Sequence, residues 1–198
     1  MNVILKRSAA LKLIDEANNK DPNIEVDEAG NDVSKELLYS QRMTEVLDSL
    51  FPNASDHLQI AARGQHIERW KSLRKDYPEG RAGYKKWRAE LGLFHAKRTG
   101  ECMAEAGYAE DDIDRVKYLV QKRGLKRDEE TQSLEDIICI VFLKYYLNDF
   151  AKKHTEEKLI DIIQKTWNKM SEYGHESALK LNYDPSMLTL IQKALADA

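Results

Sequence analysis

The sequence predicts an all-α fold, a helical bundle forming a single domain over residues 1–198. Three observations predict it. Only four prolines and nine glycines interrupt 198 residues, so long regular elements are expected. Apolar side chains recur at three- and four-residue spacing through most of the chain. No stretch alternates as a convincing strand, and no internal repeat is visible. A hydrophobic share of 42% against 33% charged residues is the balance of a globular protein with one well-buried core.

Residues 7–19 read as a helix with Ala10, Leu13, Ile14 and Ala17 on one face. The segment KDPNIEVDEAGND then breaks it. Asp21, Asn23 and Glu25 alternate there as in a calcium loop, but Val26 stands where the tight turn needs glycine, which argues against an EF-hand. A second helix runs from Ser34 to Leu50 on Leu37, Leu38, Met43, Val46 and Leu47. Pro52 ends it, and Asn53 or Ser55 caps a third helix that carries IAARGQHIERWK, residues 60–71. The run SLRKDYPEGRAGYKKW, with Pro78, Gly80 and Gly83, is a loop that delivers Arg81 into a helix bearing Trp87, Leu91, Phe94 and His95. AGY at 106–108 closes that helix. Residues 111–123 form an acid-capped helix on Ile113, Val116, Leu119 and Val120, closed by Gly124. DIICIVFLKYYLNDF is apolar nearly all round and is expected to be the most buried helix; Ser133-Leu-Glu-Asp136 fits a capping box at its start. Thr155 opens a helix with Leu159, Ile160, Ile163 and Trp167, and Asp184-Pro185 opens the last one.

Several classes are disfavoured. No apolar run approaches bilayer length, and the N-terminal charges follow rather than precede the apolar stretch, unlike a secretory signal. A cytoplasmic protein without a membrane partner is expected. Cys102 and Cys139 lack CxxC spacing and read as buried thiols rather than a disulfide or zinc site. No phosphate-binding P-loop, dinucleotide fingerprint or nucleophile elbow is present.

Charge is distributed unevenly. Residues 63–98 hold eleven Lys or Arg against four Asp or Glu, a local excess of seven positive charges in a chain of net charge −3. The remainder therefore carries ten negative charges in excess. A basic centre in an acidic protein points to a small anionic ligand. Arg63 and Arg69 flank His66 at three-residue spacing on the third helix, while Arg81 and Arg88 follow the glycine-containing loop. Guanidinium forks suit phosphate or carboxylate oxygens, so these four are the candidate phosphate-binding residues. An ion-pair network with Glu68, Asp76, Glu79 and Glu90 stands as the structural alternative. His57 and His175 read as surface residues, and Lys153, His154 and Lys158 as a basic helix end.

His66, His95 and Asp136 are the candidate metal ligands. Each lies in apolar or small-residue context on a separate helix, and two imidazoles with a carboxylate suit a divalent transition metal such as Mn, Fe, Zn or Ni. Hydrogen-bonded core histidines and a capping-box acid are the structural alternatives.

The order of these residues resembles the HD-domain phosphohydrolases, an all-helical family that binds metal through a His, a His-Asp pair and a distant Asp. YSQRMTEVL looks like that family's first metal helix, AARGQHI like the helix ending in the His-Asp pair, FHAKRTGECMAEAGY and IDRVKYLVQKRGL like the segment supplying an extra histidine, and SLEDIICIVFL like the helix of the last aspartate. The resemblance covers about residues 34–150 and leaves 155–198 as C-terminal helices packed on that core. It implies His66, His95 and Asp136 as ligands. Two positions depart from it: Tyr39 stands at the first histidine, and Ile67 at the aspartate of the pair. KELLYSQRM, GRAGYKKW, LKRDEETQSLEDIICIVFL and KTWNKMS also resemble, over almost the whole chain, the hallmark runs of an uncharacterised microbial family known only as a domain of unknown function. That resemblance implies no activity.

Two functions follow as expectations. The first is a metal-dependent phosphohydrolase acting on a small phosphorylated or nucleotide ligand, with Glu68 or Glu135 as general base and the arginines neutralising developing charge. The other is a metal-free relative that binds a nucleotide or RNA in the same basic pocket. A helical adaptor is a third reading, which only an exposed apolar patch would promote.

Overall fold

The computed structural model describes residues 3–196. Helix α1 (Val3–Asn18) buries the predicted stripe of Ala10, Ile14 and Ala17. The expected loop after it contains a small hairpin, β1 (Ile24–Val26) paired antiparallel with β2 (Asp32–Ser34), with Ile24 opposite Ser34 and Val26 opposite Asp32. Its acidic residues close turns. Asp27 Oδ1 accepts from the backbone N–H groups of Ala29 (2.9 Å) and Asn31 (2.7 Å), and Gly30 takes the left-handed conformation at φ 87°. Asp21 accepts from the backbone N–H of Asn23 (2.9 Å) and, across the hairpin, from that of Glu36 (3.1 Å). The latter bond satisfies one of the open donors at the start of α2 (Lys35–Leu50), whose own N-cap Ser34 makes no side-chain cap bond.

Helix α3 (Asp56–Gly64) starts where Ser55 Oγ accepts from Leu58 N at 3.1 Å, and it ends at Gly64 rather than running to Lys71. Arg63, His66 and Arg69 therefore do not share one helical stripe. A packing contact marks the end: Gly64 is pressed onto Thr99, and a Cβ at position 64 would lie 2.3 Å from the Thr99 hydroxyl oxygen. Single helical turns at Arg69–Lys71 and Arg74–Asp76 follow, entered through Glu68 in the left-handed conformation at φ 53°. The backbone N–H of Glu68 is held by Asn18 Oδ1 at 2.9 Å.

Helix α4 (Gly80–Glu105) is the long strut, and α5 (Glu110–Val120) packs on it and on α3 with Ile113, Val116, Leu119 and Val120 buried. Gly107, at φ 83°, turns the chain between them. Contacts group all of this into one compact unit, Met1–Arg123, and the rest into a second, Gly124–Ala198.

In the second unit α6 (Glu129–Val141) passes through one wide π-type turn, Phe142–Tyr146, into α7 (Leu147–Ala151). Leu134, Ile137, Ile140, Val141, Leu143 and Leu147 are buried along this path, as the apolar run requires. Its cap lies earlier than the sequence suggests. Asp128 accepts from Thr131 N at 2.8 Å, whereas Ser133 sits in the second turn and donates to Glu129 O. Asp136 is thus an interior helix residue and not part of a capping box. Helices α8 (Glu156–Trp167), α9 (Glu172–Leu179) and α10 (Pro185–Ala196) complete the unit. Thr155 caps α8 and Asp184 caps α10, both as predicted. Cys102 and Cys139 are buried free thiols. Among the described residues no helix is long and apolar enough to cross a membrane.

Candidate functional site

The turn after α3, helix α4 and the end of α5 converge on a partly open cavity of about 70 Å³, lined chiefly by Gln65, His66, Arg69, Arg88, His95 and Lys122. Arg88, Leu91, Gly92 and His95 reach it because they recur at helical spacing on one face of α4. Gln65, His66 and Arg69 reach it because α3 stops at Gly64 and the chain turns beneath them. Val120, Gln121 and Lys122 come from the end of α5, where Lys122 takes the left-handed conformation (φ 56°) that usually falls to glycine.

The two histidines differ in their hydrogen bonds. His95 is 2% exposed, and its Nδ1 lies 2.8 Å from the carbonyl oxygen of Ile67. A carbonyl only accepts, so Nδ1 carries the proton. Nε2 is then a bare lone pair, and it finds no hydrogen-bond partner among the described residues. Burial, with the positive charges of Arg69 and Arg88 beside it, pushes the imidazole down to about 3 against the lift of the Ile67 bond, so the ring is neutral near pH 7. His66 stacks on Tyr39, ring centroids 3.9 Å apart and 14° from parallel, and its centroid lies 5.8 Å from that of His95. Arg69 donates to His66 Nε2 at 3.4 Å, which leaves the proton on Nδ1, facing Glu36 Oε2 at 3.5 Å. Burial and then the charge of Arg69 hold the His66 imidazole well below its ordinary range.

Glu36 is 4% exposed, and burial pushes its carboxyl up to about 7 against the opposing charge of Arg69. It faces an open cleft of about 500 Å³ whose walls include Lys35, Trp70, Leu73 and Trp87. Arg69 belongs to both the cleft and the cavity. The guanidinium carbons of Arg69 and Arg88 lie 5.1 and 6.0 Å from the Trp87 ring centroid, so one indole supports both cations. The Trp87 N–H is anchored on Ser72 O at 3.2 Å.

The candidate residues from the sequence separate into two groups. His66, His95, Arg69 and Arg88 meet at the cavity. Arg63 instead clamps α1 and α2 to α3: it makes a two-pronged pair with Asp15 (2.6 and 2.7 Å) and bonds Thr44 Oγ1 at 3.0 Å. Arg81 is an exposed residue of the first turn of α4. Glu68, offered as general base, is paired with Lys71 and Arg98 at 2.6 Å each. These two bonds outweigh burial and hold its carboxyl below the usual range, which suits a structural anion better than a base. Glu135 and Asp136 belong to α6 in the second unit, both 2% exposed. Asp136 accepts from the backbone N–H of Ser171 (2.8 Å), from the Ser171 hydroxyl and from Gln132 Nε2 (3.1 Å), which ties α6 to the start of α9. Glu135 lies 3.6 Å from Lys169 Nζ. Among the described residues no three His, Cys, Asp or Glu side chains form a group that could hold a metal ion.

Tyr39 reaches the site as the stacking wall of His66, and Ile67 serves it through its carbonyl. Glu36, Gln121, Lys122 and the supporting role of Trp87 are not apparent in the sequence. Glu36 reads as an ordinary first-turn acid, and the pair before Gly124 as a helix end.

The fold and the site together define an all-helical protein with a basic, histidine-lined cavity inside its first unit. The chain belongs to the family described as domain of unknown function (DUF4202), whose model matches residues 8–191. No curated protein and no solved structure matches it significantly.

Proposed function

We propose that the cavity is a metal-free binding site for a small phosphate-type oxyanion, free or as the head of a small phosphorylated ligand. What carries this reading is the convergence of Arg69, Arg88 and Lys122 with two neutral imidazoles on one partly open cavity. Cations in a partly desolvated pocket attract an anion far more strongly than they would in water, and guanidinium forks match tetrahedral oxygens. The same charges repel a dication. A cavity of about 70 Å³ admits on the order of five waters, enough for one tetrahedral group but not for a whole nucleotide. Any larger ligand would have to extend out of it.

The metal-dependent phosphohydrolase reading has weaker support. His66 Nε2 already accepts from Arg69, and Asp136 would have to surrender three hydrogen bonds to serve as a ligand. Calorimetric titration with inorganic phosphate, with and without a chelator, separates the two. The proposal expects binding that is indifferent to the chelator and is lost in Arg88→Gln and Arg69→Gln. Binding that appears only with added Mn, Fe, Zn or Ni would overturn it in favour of the metal site. No binding under either condition would also overturn it.

A further inference from the structure

Resting on the anion-site reading above, we infer that the cavity selects a protonated oxyanion, a hydrogenphosphate-type group bearing a P–OH, over one with no proton to give, such as sulfate. The inference comes from a polar atom of the lining that is fixed the wrong way for a plain anion. Arg69, Arg88 and Lys122 offer donors only. His95 Nε2 offers an acceptor only, because its partner nitrogen is committed to the Ile67 carbonyl at 2.8 Å. The residue is 2% exposed, and Nε2 has no hydrogen-bond partner among the described residues.

A buried acceptor without a donor costs free energy, and a lone pair set against an anionic oxygen costs more. Sulfate, near neutral pH, presents only lone pairs to Nε2. Hydrogenphosphate can place its unprotonated oxygens on the cations and turn its single O–H toward the imidazole, so that the cations and the imidazole acceptor are all matched. Discrimination by an unmatched buried polar group is much stronger than discrimination by size, and the two ions are nearly the same size. His66 does not supply a second acceptor, since its Nε2 takes the N–H of Arg69. Gln65 Oε1 is a second buried acceptor of the lining without a partner among the described residues, but no side-chain bond fixes its amide, which can turn its N–H groups toward an anion. The proton-reading role thus falls on His95, whose acceptor the Ile67 bond fixes, as a specificity-determining residue.

The test titrates the full-length protein with inorganic phosphate and with sulfate by calorimetry, in the native protein and in His95→Asn. Asparagine keeps an N–H for the Ile67 carbonyl and takes the acceptor away from the Nε2 position, its own amide oxygen standing short of that place. The native protein is expected to bind phosphate at least about tenfold more tightly than sulfate, and the variant to bind the two within about twofold of each other. Equal affinity for both ions in the native protein overturns the inference and leaves the anion site standing. Failure to bind either ion overturns both.

Should His95→Asn fail to fold, methyl phosphate decides with the native protein. Its second proton is lost near about pH 6, so its affinity is expected to rise several-fold between about pH 8 and about pH 5.5 while that of sulfate does not keep pace. Parallel affinities across that range would overturn the inference.

Discussion

Glu36 is the residue whose ionisation the fold opposes most visibly. Its carboxyl titrates near 7 in the folded protein against an ordinary 4.5. The unfolded chain releases this proton first as pH rises, so the contribution is whole below pH 4.5 and is lost as pH climbs through 7. At full loss it amounts to about 3 kcal/mol. Glu36→Gln should therefore match the native protein in urea midpoint near pH 4.5 and exceed it near pH 8; an unchanged difference across that range would contradict the assignment. His95 acts in the opposite sense. Its folded value of about 3 lies below the ordinary 6.5, so its contribution is present above pH 6.5 and lost as pH falls toward 3. The residues facing Glu36, namely Asp21, Glu25, Lys35, His66 and Arg69, set the balance between these two slopes.

Among the elements, the approach of α3 to α4 decides where the site lies. Gly64 lets the two helices touch at Thr99, and the chain then leaves α3 to present His66 opposite His95. Gly64→Ala is expected to cost about 1–3 kcal/mol by overpacking, measured as a urea midpoint, and Gly64→Ala with Thr99→Ala should recover most of it. No recovery would show that the contact is not what sets the spacing. The same place shows why the site was only partly legible in the sequence. Helix boundaries were readable where each had its own stop or cap: Pro52, Gly107, Thr155 and Asp184. Gly64 looks like one more small residue in a periodic stretch, because the Thr99 that meets it lies thirty-five positions away. The β1–β2 hairpin escaped because three-residue strands contain too little alternation to register. Ser133 fits the local cap pattern as well as Asp128, which is the residue that caps the helix.

On the scale of the whole molecule, part of the positive charge of segment 63–98 is neutralised in place. Arg63 pairs with Asp15, Lys71 with Glu68, Arg98 with Glu68 and Glu101, and Lys86 with Glu90. Composition could reveal the excess of cations but not which of them are already paired, because the partners come from α1 and from neighbouring turns. The cations at the cavity are partly buried, where screening is weak. Raising NaCl from about 50 mM to about 500 mM should then weaken phosphate binding less than about tenfold. An extended nucleic-acid surface with many phosphate contacts would lose about a thousandfold or more over a smaller change, and a slope of that size in the titration would revive the RNA reading.

The sharing of one indole by two guanidinium groups has an optical consequence. Trp87 emission depends on the charge held over its ring, and that charge belongs to Arg69 and Arg88, the two groups that also line the cavity. Filling the cavity should therefore alter the intrinsic fluorescence of the unlabelled protein. A spectrum unchanged at saturating phosphate would mean that both arginines keep their places on the indole while they bind.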